Sequence, residues 1–157
     1  FNFGKSSFKI IETPGHTIGH ICFYFEEENI LFVGDTIFSL GCGRLFEGSF
    51  RDMTTSLLKI KSLPSNTKIY CGHEYTQANA IFTLSLNGDD KNLQKKVEDI
   101  KKKRDMSIPT VPFMLEDELK FNPFLKFDER EYLNCIGLEY LDEVENFKKI
   151  RILKDNF

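Results

Sequence analysis

Apolar residues fall in short strand-like runs up to Cys71, and recur every three or four positions after Tyr75. Residues 8–12 form the first candidate strand. Residues 20–26 alternate strictly, with Ile21, Phe23 and Phe25 on one face, and 30–33 is an unbroken apolar run of the kind that predicts a strand covered on both faces. A glycine-rich loop follows Phe38, Ser39-Leu-Gly-Cys-Gly-Arg-Leu-Phe-Glu-Gly48. Next comes an amphipathic helix over 51–63 with Met53, Leu57 and Ile60 on one stripe, stopped by Pro64, and then a strand from Lys68 to Cys71. Beyond it the spacing predicts a helix over 75–86 closed by Asn87-Gly88. A second helix is capped by Asp89-Asp90 and striped by Leu93, Val97 and Ile100. Residues 109–123 read as irregular, Asp128 and Glu131 as a capping-box pair opening a helix that ends near Gly137, and 139–149 as a last helix. With no repeat and no low-complexity linker, an α/β half (1–74) and a helical half (75–157) are expected to pack directly on one another.

Composition narrows the class. A chain of 157 residues with 41% hydrophobic and 29% charged residues can bury one sizeable core. The net charge of −3 argues against general nucleic-acid binding and against a polybasic membrane anchor, and no apolar run approaches the ~20 residues of a spanning helix. Cys22, Cys42, Cys71 and Cys135 form no C-x-x-C pair, and nothing resembles a secretory signal. Reduced thiols and a cytoplasmic setting are therefore expected, an organellar one remaining open. The lysine-rich side of the 89–105 region reads as a solvated helix face.

All three histidines lie in glycine-flanked clusters: Thr13-Pro-Gly-His16-Thr-Ile-Gly-His20, Val33-Gly-Asp35-Thr36 and Cys71-Gly-His73-Glu74. His16, Asp35 and His73 each stand where a strand gives way to a loop, a placement that suits convergence on a divalent metal. An N-cap role for Asp35 is the plainer alternative for that residue alone. His20 opens a strand that carries its ring away from the loop, so a hydrogen-bonding role suits it better than ligation. Glu74 fits a charge at a helix N-terminus as well as it fits a general base.

The segments T-P-G-H-T-x-G-H, F-V-G-D-T, G-C-G-R-x-F-E-G and Y-C-G-H-E-Y-T resemble the metallo-β-lactamase superfamily and, within it, glyoxalase II. T-V-P at 110–112, F-N-P-F at 121–124 and the Arg151-Ile-Leu-Lys154-Asp155 segment extend the resemblance over the whole chain. It implies an α/β (α+β) fold: the C-terminal half of a metallo-β-lactamase αββα sandwich followed by a small all-helical, substrate-binding domain. It implies two divalent metal ions, zinc first and iron or manganese as alternatives, with His16, Asp35 and His73 among their ligands and Asp35 bridging. A hydroxide between the metals would then attack the thioester of S-(2-hydroxyacyl)glutathione, as in the hydrolysis of S-D-lactoylglutathione during methylglyoxal detoxification. Arg44, Phe46, Tyr75, Arg151 and Lys154 match substrate-binding positions, the last pair holding a carboxylate of glutathione.

Two departures stand out. Phe46 occupies a position where many relatives carry tyrosine. The family's T-H-x-H-x-D-H segment, which supplies further ligands, is absent, so the chain resembles the C-terminal two-thirds of a glyoxalase II. Alone it is expected to be inactive, to expose an apolar sheet face and to self-associate. Two other readings share some of these motifs: a mononuclear-iron persulfide dioxygenase, and a non-catalytic domain that binds glutathione conjugates.

Overall fold

The computed structural model describes residues 1–157, the side chain of Phe3 excepted. A small hairpin of β1 (Asn2–Phe3) and β2 (Ser6–Ser7) precedes the main sheet. That sheet contains β3 (Lys9–Glu12), β4 (Ile21–Phe25), β5 (Ile30–Gly34), β8 (Lys68–Cys71) and β9 (Phe113–Met114), in the order β3-β4-β5-β8-β9. Only β5 and β8 run parallel, Leu31 facing Ile69. Their crossover holds a tight hairpin of β6 (Ile37–Phe38) and β7 (Gly41–Cys42), then helix α1 (Phe50–Lys61). The remaining helices are α2 (Thr76–Leu86), α3 (Lys91–Asp105), α4 (Leu115–Phe121), α5 (Arg130–Cys135) and α6 (Glu143–Asp155), with a 3₁₀ turn at Pro123–Leu125.

One face of the sheet is fully covered. Cys22, Tyr24, Leu31, Val33 and Ile69 point inward against Met53, Leu57 and Ile60 of α1, and the same cluster takes in Phe124 and then Phe147 and Ile150 of α6. Helix α1 starts where the sequence allows: Ser49 Oγ accepts from the Asp52 amide while Asp52 returns the bond to the Ser49 amide, a complete capping box. Its register also serves the loop after β3, because Ser56 Oγ donates to Pro14 O (2.7 Å) and Lys59 Nζ to Glu12 O (2.7 Å).

Four expectations change. The apolar run of β5 is covered on one face only: Leu31 and Val33 are buried, but Phe32 is 43% exposed. Residues 109–123 are more ordered than their prolines suggest; α4 lies among them without a side-chain cap, its acidic first turn (Glu116, Asp117, Glu118) being a weak start signal, and burial of Leu115 and Glu118 holds it. Asp128 does not cap α5 but pairs with Lys61 Nζ at 2.6 Å, tying α5 to α1. The last helix lies later than 139–149, since Asp142 accepts from the Val144 and Glu145 amides and starts it at Glu143.

The two halves interlock through the β6–β7 hairpin. Its turn, Ser39-Leu40, places Leu40 at φ 57° and inserts that side chain, fully buried, among Ala80, Ile100, Val97 and Phe121 of the helical half. Glu118 lies buried below it and accepts from Leu40 N (2.7 Å), Ser39 Oγ (2.9 Å) and Asn122 Nδ2 (2.9 Å). Burial pushes the Glu118 carboxyl up to about 7, against the pull of those donors and of Lys96.

On the opposite face of the sheet, Ile10, Phe23, Phe32 and Tyr70 sit side by side across four strands, the first three exposed. Phe8 and Phe25 extend the row, with ring centroids 5.5 Å from Phe8 to Phe23 and 5.8 Å from Phe25 to Phe32. An apolar face of this kind favours association. Chain 1–157 is expected to sediment as dimers or larger species as its concentration rises, and the pair Phe23→Lys and Phe32→Glu to restore a monomer. A second expectation concerns acidity. Because the folded Glu118 titrates above its ordinary value of 4.5, its stabilising contribution is full below that value and is lost as pH rises through about 7. Urea unfolding should therefore show the wild type gaining stability relative to Glu118→Gln between pH 8 and pH 5.

Candidate metal and substrate site

Three loops meet at the ends of β3, β5 and β8. Asp35 follows Gly34 (φ 47°), and one of its carboxylate oxygens lies 3.5 Å from His16 Nε2 and 3.3 Å from His73 Nε2. No helix begins at Asp35; the next element is β6, so the carboxylate faces the imidazoles and not a helix N-terminus. His16 Nδ1 lies 2.8 Å from Arg44 O, a bond that places its proton there and leaves Nε2 with a free lone pair. The loop bearing His16 is itself held by Phe46 N to His16 O and by Ile18 N to Glu47 Oε2.

His20 lies behind this group. The Asp35 amide donates to His20 Nε2 (3.2 Å), so Nδ1 carries the ring proton and faces Thr36 Oγ1 (3.0 Å) and Thr13 Oγ1 (3.2 Å). Burial lowers the His20 pKa, assisted by His16 and opposed by Asp35, which keeps the ring neutral and able to accept. Glu74 is also outside the centre. It accepts from the Thr110 amide (2.8 Å) and from the Thr110 hydroxyl, with Arg104 at 3.6 Å, and so fastens the His73 loop to the end of α3. Its burial would raise its pKa, but the Thr110 and Thr76 hydroxyls, the Thr110 amide and Arg104 together hold it below the usual range.

Two glycines make the crowding possible. A Cβ on Gly72 would sit 2.5 Å from Asp35 Oδ1, and one on Gly43 would collide with the Asp35 carbonyl oxygen. Two imidazole nitrogens and a carboxylate directed at one point form a donor set suited to zinc, iron or manganese. Among the described residues no three His, Cys, Asp or Glu side chains are placed to hold a metal ion by themselves, so His16, Asp35 and His73 could do so only together with further ligands.

The same residues form one end of a cavity of about 470 Å³. All eight sequence-predicted site residues line it: His16, Asp35 and His73 at one end, with Arg44, Phe46, Tyr75, Arg151 and Lys154 around it. Phe46 lies 4.9 Å from His16 between ring centroids, and Tyr75 stacks on His73 at 4.9 Å and meets Phe38 at 5.1 Å. Arg44 is largely exposed. Lys154 lies over the rings of Phe82 and Phe157, and burial followed by the nearby Arg151 and Arg44 lowers its pKa. Arg151 is placed differently: only 3% exposed, it donates to Cys42 O (3.1 Å) and Asp155 (2.8 Å), while its Nε has no partner.

Several contributors have no role assigned from the sequence, Asp155 among them although it closes the Arg151–Asp155 segment. Asp155 holds Arg151 and stands 3.7 Å from Arg44, and its i,i+4 spacing from Arg151 was the available signal. Asn79 donates to Ser39 O from within α2, and Phe38 forms the apolar wall; neither belongs to a pattern that reads as chemistry.

With this geometry in place, the comparisons are decisive about kinship. The family described as "Hydroxyacylglutathione hydrolase C-terminus" matches residues 74–157, and the "Metallo-beta-lactamase superfamily" matches residues 1–73. The chain belongs to the hydroxyacylglutathione hydrolase family. The hydroxyacylglutathione hydrolase of Pelagibacter ubique is 49% identical over 95% of this chain and 56% of its own length. That of Bartonella henselae is 46% identical over 100% and 62%. The chain thus spans about 60% of the length of the curated relatives it matches. A metallo-beta-lactamase from Staphylococcus aureus shares the fold, with a TM-score of 0.54 at 22% identity, covering 98% of this chain and 40% of that one.

Crowding at Asp35 gives a direct check. In the whole protein bearing this chain, Gly72→Ala should displace the carboxylate and weaken zinc uptake on the order of 10–100-fold. A competition titration against a chromophoric chelator would read this, with the circular dichroism spectrum unchanged.

Proposed function

We propose that the whole protein hydrolyses S-(2-hydroxyacyl)glutathione thioesters and that this chain supplies one side of its metal centre together with the glutathione-binding wall. The observation that carries the reading is the shared cavity: Asp35, facing two imidazoles, and the cations Arg44 and Lys154 line one space. A thioester with an anionic tripeptide handle has the matching polarity, a reactive carbonyl at one end and a carboxylate at the other.

His16, Asp35 and His73 would hold divalent metal, joined by ligands from the remaining part of the protein. A metal pair there would supply Lewis acidity, which lowers the pKa of bound water toward neutrality. The chain's own residues do the rest. Arg44 and Lys154 receive the anionic handle, with Arg151 adding positive charge from inside the wall, and Asp155 limits how far those cations can swing. Tyr75, stacked on His73, orients the peptide portion, while Phe38 and Phe46 keep the reacting end in apolar surroundings. Water, giving up a proton to solvent, adds to the carbonyl; the C–S bond of the adduct then breaks to leave the 2-hydroxy acid and glutathione thiolate, a group stable enough to depart without a dedicated acid.

Three outcomes test this reading. The metal-loaded whole protein should hydrolyse S-D-lactoylglutathione, lose that activity on chelation, and lose on the order of 100-fold or more with Asp35→Asn. Chain 1–157 alone should show no turnover with added zinc. Arg44→Ala should raise KM about 10-fold with kcat little changed, the loss of one charge-assisted bond to the handle. Steady-state kinetics by thiol release would measure all three. A whole protein that binds the thioester without cleaving it would instead support a non-catalytic binding domain.

A further inference from the structure

Loop 38–44 joins the two ends of the cavity, yet almost none of what holds its turn comes from the α/β half. Leu40 is inserted into the helical half, in a left-handed conformation that a leucine adopts only under constraint. The backbone around it is bound by side chains from α2, α4 and the 3₁₀ turn. Asn79 Nδ2 donates to Ser39 O (3.1 Å) and Thr83 Oγ1 to Leu40 O (3.3 Å). Asn122 Nδ2 donates to Phe38 O (3.2 Å) and Gly41 O (3.1 Å). Glu118 is the centre of this set, the one side chain that accepts from both turn residues and from Asn122.

Asp35 is anchored separately. Its amide bonds to His20, and Gly72 N bonds to Gly34 O, with no contribution from Glu118. Glu118 therefore bears on Phe38, Cys42, Gly43 and Arg44, four residues that line the cavity, and the Arg44 and Lys154 side of the wall is the one that no bond to Asp35 fixes. We propose that Glu118 is a positioning residue, by which the helical half sets the shape of the substrate loop and so the affinity for the thioester. This rests on the reading of the protein as a thioester hydrolase.

The hydrogen-bond pattern predicts which replacement works. A glutamine can keep its oxygen toward Leu40 N and Asn122 Nδ2 and turn its amide toward the Ser39 hydroxyl, which can accept. A leucine of similar size can do neither. In the metal-loaded whole protein, Glu118→Leu should raise KM for S-D-lactoylglutathione about 10-fold with kcat within about 2-fold, and Glu118→Gln should restore the wild-type KM. Amide hydrogen exchange gives a second readout that needs no turnover: Glu118→Leu should speed exchange in 37–44 about 10-fold while α1 stays protected. If Glu118→Leu does not fold, Ser39→Ala, which removes one bond, should show the same pattern more weakly. The proposal is overturned if kcat falls with KM unchanged, if exchange in 37–44 is unaltered, or if α1 and 37–44 loosen together. Should the wild type fail to hydrolyse the thioester, the functional reading fails, and the exchange arm still decides what Glu118 holds.

Discussion

A carboxylate at the end of a buried strand is costly unless something meets it, and much of this structure can be understood as meeting Asp35. Two imidazoles face its oxygen, a third accepts from its amide, and two glycines clear space beside it. Each needs its own support. His16 is steadied through the Arg44 carbonyl, His20 through two threonine hydroxyls, and the His73 loop through the Glu74–Thr110 contact. The tether of α1 to Pro14 and Glu12 belongs to the same set, since it fixes the approach to His16. A rigid surround of this kind would hold these donors in place before any metal arrived.

The fold and the site were legible to different degrees. Strands and α1 could be read because alternation, the Ser49–Asp52 cap and Pro64 are local signals that tertiary packing did not override. Helix α4 could not, since nothing in Leu115–Phe121 caps it and its reason to exist is Glu118 reaching a turn seventy-eight residues away. The start of α6 was misjudged because Asp142 looks no different in sequence from its acidic neighbours until its side chain is seen to cap. For the site, glycine-flanked histidines marked the residues that the structure brings together around Asp35. Arg151 shows the limit of such reading: its spacing to Lys154 reads as a matched pair, whereas burial separates their surroundings.

The make-up of the cavity also follows the chain. His16, Asp35 and His73 come from the α/β half, and Tyr75, Arg151 and Lys154 from the helical half. β9 pairs with β8, and one hydrophobic cluster runs through both halves, so neither end can shift without disturbing the other. The relative placement of the two sets of cavity side chains is therefore built into packing.

The cations of the cavity wall have a consequence beyond holding a ligand. Arg44, Arg151 and Lys154 gather against one carboxylate on a molecule whose net charge is −3. Arg44 and Lys154 reach the mouth of the cavity, so their charge acts on an approaching anion over a range of about 8–10 Å at moderate ionic strength. Encounter at this opening thereby becomes a property of the surrounding electrolyte.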